Sequence, residues 1–280
     1  MKFANLHLHS TYSDANLSPM QLVRMGKALG YQALALTDHE TDAGVKEFMY
    51  HAQRNGIQAI TGAEFYARED GKVIHLTALD YDMDEPGIRA FIKFHTEEQN
   101  EYTRKCFQLG VERGLVEGIT WDDVVALNPT DAWLNFDSIV YAMRLKKVVP
   151  MDYCFTDLRV GTFKTPEGIS WRPIRPDAKG VIEVVRKAGG VVAFAHPIGL
   201  THLVPKLVEY GLNGIETEHS ELDAESKALA IEAAKTYNLY HCGGTDHTGP
   251  MSGNGGKYAI PVFDGITEEQ FVTLKERRLG

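Results

Sequence analysis

Two imidazoles and a carboxylate open the chain: the segment NLHLHSTYSD, residues 5–14, carries His7, His9 and Asp14. Further along come Asp38 and His39 in LTDH, Glu64 in GAEF, His75 in VIHL, His196 in AHP, and Asp246 and His247 in GGTDH. Each has an ordinary explanation when taken alone. A histidine inside an apolar strand, as His75 is, reads as a satisfied core residue. Pro197 would end strand pairing whatever His196 does. Asp38 could ligate a cation, orient a neighbouring imidazole or cap the next helix. Taken together, imidazole and carboxylate donors suit Zn, Fe or Mn, and the absence of thiolates argues against a closed structural zinc.

The elements that must position these residues are legible as apolar runs alternating with helical patterns. KFANLHLH reads as a strand, which points His7 and His9 to one face. A capping box follows, with Ser18 at the N-cap, Pro19 at N1 and Gln21 at N3, and Gly30 is a plausible stop for that helix. ALALTDH reads as a second strand ahead of the helix AGVKEFMYHAQRNG. IQAITGAEFYAR and VIHLTALDY read as strands joined by the turn EDGK. Strands at VVAFAH, LNGIETEH and LYHCGGTDH alternate with helices in the C-terminal third. Seven strands in βα alternation favour a parallel closed or nearly closed barrel, with a doubly wound open sheet as the alternative. In such folds the strand ends form one rim, where active sites sit. The stretch 83–176 is too polar and irregular for barrel wall and reads as a mainly helical cap inserted into a barrel of residues 1–82 and 177–280.

Composition narrows the class. The 280 residues are 44% apolar and 24% charged, enough to build a large core without staples. A net charge of −9 argues against an extended face that tracks nucleic acid. Cys106, Cys154 and Cys242 are dispersed and read as thiols in a reducing compartment. With no signal-like h-region and no span-length apolar stretch, a cytoplasmic location is expected.

The ordered set HLHSTYSD, LTDH, GAEF, VIHL, AHP and GGTDH resembles the PHP (polymerase and histidinol phosphatase) family, metal-dependent phosphoesterases on a distorted (β/α)7 barrel. The resemblance covers nearly the whole chain outside the insertion. It implies two or three divalent ions (Mn, Fe or Zn). The first would take His7, His9, Glu64 and Asp246, and the second Glu64, His75 and His196. The third would take Asp14, His39 and His247. A hydroxide bridging adjacent ions would attack phosphorus, with Glu64 and Asp246 at the reacting centre and His219 contacting phosphate or protonating the leaving group. Two departures stand out: SDAN replaces the usual S-D-G, with Asn16 able to supply a left-handed turn, and Asp246 and His247 are adjacent where the family has D-x-H.

Substrate choice would fall to the cap, where Arg159, Lys164 and Arg172 could clamp phosphate and Trp133, Tyr153 and Trp171 could stack on a base. A small phosphorylated substrate is expected, first of all a nucleotide monoester such as AMP or a 3′,5′-bisphosphonucleotide. The alternatives are a 5′–3′ exonuclease acting on short oligonucleotides, a histidinol-phosphate phosphatase, and a metal-retaining binding module without catalysis.

Overall fold

A computed structural model describes residues 2–153, 158, 173–249 and 264–279. The fold is mixed α/β. Three short parallel strands, β1 (Ala4–Asn5), β2 (Ala33–Ala35) and β3 (Gln58–Ile60), form one sheet in that order. A second sheet runs β4 (Gly62–Glu69), β5 (Lys72–Leu79), β6 (Val191–Phe194), β7 (Gly214–His219) and β8 (Tyr240–Gly244). Thr61 divides what the sequence reads as one strand into β3 and β4.

Backbone bonds tie the two sheets at both margins. At one, Leu6 N–H donates to Gly243 O (3.0 Å) and Leu8 bridges His247. At the other, Glu64 N–H donates to Asp38 O (3.1 Å) and Glu40 N–H to Glu64 O (2.7 Å).

The all-parallel expectation fails at β5, which is antiparallel to both β4 and β6. The cause is local. Asp70 and Gly71 take φ of 47° and 75°, the left-handed pair that closes a two-residue hairpin, and a hairpin can only join antiparallel strands. His75 therefore reaches the site from the first half of its strand, opposite Tyr66.

Helix α1 (Pro19–Ala28) carries the expected capping box, and Gly30 follows its end at φ 88°. Helix α2 (Val45–Asn55) stops at Gly56, also left-handed. Within the insertion, α3 (Pro86–Glu112), α4 (Trp121–Leu127) and α5 (Phe136–Leu145) share a small core of their own around Phe107, Val124, Ile139 and Met143. The first turns of α3 belong elsewhere. Ile88 and Ile92 pack with Phe65, Phe194 and the Val181–Val185 face of α6 (Ala178–Lys187), so the insertion is rooted in the main core. Helices α7 (Val204–Glu209), α8 (Ala224–Tyr237) and α9 (Glu268–Lys275) complete the described chain. None of the described helices is long and apolar enough to cross a membrane.

Candidate metal centre

The extension of β1 alternates Leu6 and Leu8 with His7 and His9, and all four are buried. The two rings turn toward Glu64 and Asp246. His7 Nε2 lies 3.4 Å from Glu64 Oε1 and 3.6 Å from Asp246 Oδ1. His9 Nε2 lies 3.3 Å from Glu64 Oε2 and 3.0 Å from Asp246 Oδ1. Glu64 is central to a second group, since its Oε1 sits 3.0 Å from His75 Nδ1 and 3.2 Å from His196 Nε2. Asp14 joins a third group with His9 Nδ1 (3.2 Å) and His39 Nε2 (3.6 Å). In each of the three groups the donor atoms lie within 4.8 Å of one another.

The backbone around these residues is unusual. Glu40, His196 and Asp246 take positive φ of 49°, 27° and 50°, a region L-residues seldom occupy and one that clusters at functional sites. The glycine pair of GGTDH serves close approach. A Cβ on Gly244 would lie 2.5 Å from His7 N, and one on Gly243 would lie 1.9 Å from Glu218 O.

Electrostatics follow from the same contacts. Burial disfavours charge throughout: it prevails at His75, which it holds below the usual imidazole range, and is overcome by facing groups at His7, His9, Asp14, Glu64 and Asp246. The carboxylates of Glu216, Glu64 and Asp246 hold His7 well above the usual imidazole range, and Asp14 does the same for His9. Conversely, His7 and its neighbours hold Glu64 and Asp246 well below the carboxylate range, and His39 and His9 hold Asp14 down.

The donor set fits divalent cations by a direct test. The buried atoms His7 Nε2, His9 Nε2 and His39 Nδ1 have no hydrogen-bond partner. Each such orphan costs about 1–3 kcal/mol unless something takes its lone pair or proton. All three converge on carboxylate oxygens, which is what a shared cation requires.

Three expectations are corrected. His247 is not in the cluster: it lines a small space with Leu8, Leu22 and Leu34, on the other side of the β1 extension. Its neighbour Asp246 occupies the inward direction, and the left-handed turn there (φ 50°) delivers His247 to a bridge with Leu8. His9 stands where His247 was expected beside Asp14 and His39. His219 does not face a substrate either. Its side chain has no exposed surface, its ring lies tilted against those of His7 and His196 (5.5 and 5.3 Å), and its Nδ1 accepts the Glu221 N–H. Asn16 is not left-handed; its N–H donates to Thr248 O instead, and Ser13 and Ala15 N–H both donate to Ser10 O.

Asp38 touches no imidazole directly, reaching His9 Nδ1 only through Ser13 Oγ (3.4 Å), and caps no helix. Its carboxylate accepts from Ser10 N–H (2.7 Å), Ser10 Oγ (2.6 Å) and Ser13 Oγ (2.5 Å), which fixes the loop carrying Asp14. Arg159, Lys164, Arg172 and Trp171 lie outside the described residues. Trp133 is described and buried, with its ring 5.2 Å from that of His39.

Sequence reasoning missed Glu216. It accepts from His7 Nδ1 (2.7 Å) and from His196 N–H (2.7 Å), so when a cation takes Nε2 the one remaining His7 proton is held on Nδ1. The available signal was a glutamate in the buried strand GIETEH, where an ionised side chain requires a partner. A register shift in β7 between Glu216 and Glu218 brings Glu216 and His219 to the same side. Beside Asp14, a cleft of about 320 Å³ opens between the 11–16 loop and helices α4 and α5, lined by Asn16, Asn128, Tyr141 and Arg144 among others.

The sequence profile of the PHP domain matches residues 5–129. The chain is 31% identical over 257 residues to the 5′-3′ exoribonuclease Rnm of Escherichia coli, covering 88% of this chain and 85% of that one. It is 29% identical to a phosphoribosyl 1,2-cyclic phosphate 1,2-diphosphodiesterase of Eggerthella lenta (88% and 94% covered). It is 27% identical to a 3′,5′-nucleoside bisphosphate phosphatase of Chromobacterium violaceum (90% and 89%). In fold it resembles a solved Bifidobacterium adolescentis structure described as a metal-dependent phosphoesterase, with TM-score 0.82, 23% identity, and coverage of 99% and 96%.

Proposed function

The chain belongs to the PHP family of metal-dependent phosphoesterases, and from that premise we propose that it hydrolyses a phosphate ester of a small nucleotide, first of all a monoester of the AMP or 3′,5′-bisphosphonucleotide kind. The observation that carries the metal dependence is the convergence of three buried, partnerless ring nitrogens on Glu64 and Asp246. His7, His9, Glu64 and Asp246 would hold one ion; Glu64, His75 and His196 a second; Asp14 and His39, with His9 in reach, a third. Divalent ions there supply Lewis-acid charge for a phosphoryl oxygen and lower the pKa of water.

The chain's own residues define the approach. His7, His9 and Glu64 form a floor, with side chains at most 1% exposed. His75, His196, Asp14 and Asp246, at 25%, 19%, 14% and 16%, form the open side on which a phosphoryl group lands. The cleft beside Asp14 then receives the leaving group. At about 320 Å³ it has room for one nucleoside rather than a strand, and the net charge of −9 points the same way. We assign substrate selection to the insertion 83–176 and read the two linked sheets as one distorted (β/α)7 wall.

A diester reading is kept because two relatives bear diesterase or exoribonuclease names. A phosphate-release screen over AMP, a 3′,5′-bisphosphonucleotide, a ribose cyclic phosphate, histidinol phosphate and short 5′-phosphorylated RNA decides between the readings. Fastest release from single nucleotides is expected. Turnover of RNA with single nucleotides untouched would overturn the monoester assignment, and no turnover of any substrate would favour the binding module.

A further inference from the structure

Glu40 follows the candidate ligand His39 directly, yet among the described residues every hydrogen-bond partner of its side chain comes from the insertion. Its carboxylate is 1% exposed and accepts both contacts of Arg175 Nη1 (2.9 and 2.8 Å) and one from Trp133 Nε1 (3.0 Å). Its carbonyl accepts from Thr96 Oγ1 on α3 (2.6 Å). Arg175 Nη2 donates in turn to Gln99 of α3 (3.1 Å), so three separate segments of the insertion meet on this one residue.

The same groups enclose the His39 ring. Arg175 lies over the Tyr66 ring at 4.3 Å, Tyr66 stacks on His39 at 4.7 Å, and the Trp133 ring sits 5.2 Å from His39. The Tyr66 hydroxyl is 3.3 Å from His39 Nε2. Glu40 itself is held at φ 49° with its N–H on Glu64 O, so the His39 backbone is fixed from both sides. A carboxylate this deeply buried keeps its place only while its cation partner is present.

We propose that the Glu40–Arg175 pair is a positioning device through which the insertion sets the affinity of the cation position formed by Asp14 and His39. It rests on the metal reading above and adds to it a division of labour. The insertion acts chiefly on this one cation position: Glu64 and His75 lie one contact further away, through Glu40 N–H on Glu64 O and the Tyr66 ring against His75, and Asp246 and His196 are reached from the sheets. Neither Glu40 nor Arg175 is placed against the substrate, so both work through His39.

The test is a Mn²⁺ titration of the full chain followed by electron paramagnetic resonance of the free ion, comparing wild type with Arg175→Gln. One bound ion should lose about 10- to 100-fold in affinity, the usual cost of losing an outer-shell partner, while the others bind as before. Arg175→Lys keeps the charge and loses the planar fork, so it should fall between the two, and it stands in if Arg175→Gln does not fold. Unchanged binding of every ion overturns the proposal, as does equal weakening of all ions in a folded variant. A wild-type chain that binds no Mn²⁺ refutes the metal reading itself, and this proposal with it.

Discussion

Replacing Glu216 by Gln keeps the volume of a buried side chain while removing its charge and half of its accepting capacity. The carboxylate serves two donors with two oxygens: Oε1 takes the His7 Nδ1–H and Oε2 the His196 N–H, each at 2.7 Å. A glutamine has one oxygen. If that oxygen faces the His196 N–H, the amide nitrogen faces His7 Nδ1 and turns it into an acceptor. The ring proton then moves to Nε2, the atom aimed at Glu64 and Asp246, and the lone pair a cation needs is gone. In the opposite orientation two donors abut at His196. Either way one charge-assisted hydrogen bond is lost, about 1.5–3 kcal/mol. That corresponds to roughly 10- to 150-fold in an equilibrium constant, in line with the typical cost of about 10- to 100-fold for losing an outer-shell partner of a metal ligand. Competition against a chromophoric chelator for Zn²⁺ or Mn²⁺ reads the loss, with circular dichroism to confirm folding. A folded Glu216→Gln variant with wild-type affinity would refute the tautomer reasoning.

Other residues separate metal ligation from packing. His247→Ala should lower the melting temperature, at a cost of roughly 1–3 kcal/mol, and leave cation content unchanged by elemental analysis. Gly244→Ala would place a Cβ 2.3 Å from Asn5 Oδ1 and 2.5 Å from His7 N. The overpacking should cost about 1–3 kcal/mol and reduce phosphate release by displacing His7. Cation binding should be linked to protons. Burial favours neutral rings, but the surrounding carboxylates keep His7 and His9 charged in the metal-free chain. Binding must therefore release protons, and affinity must fall as pH is lowered. Calorimetry in buffers of different ionisation enthalpy measures the release; none at neutral pH would contradict those raised values.

The legible part of the site was local. HLH on a strand, a carboxylate in the following loop and single ligands at other strand ends each announce themselves within a few residues. The α1 capping box and the EDGK hairpin were equally local, because the interacting groups are sequence neighbours. The parallel barrel expectation fails at β5 because that hairpin reverses the chain and makes β5 antiparallel to both of its neighbours. His247 was misplaced because the left-handed backbone at Asp246 and the Leu8 pairing are tertiary facts. Glu216 and Arg175 were invisible for a related reason. Glu216 acts across 209 residues to His7, and Arg175 acts across 135 residues to Glu40. No spacing rule connects such pairs, and only a buried charge awaiting a partner hints at them.

The most direct test of the account is removal and return of the ions. After exhaustive chelation and desalting, phosphate release from p-nitrophenyl phosphate should cease while the circular dichroism spectrum persists. Adding Mn²⁺, Fe²⁺ or Zn²⁺ should restore it, with more than one ion bound per chain by elemental analysis. Turnover that survives complete removal of metal would contradict the assignment of the His7, His9, Glu64 and Asp246 cluster as the centre of the reaction.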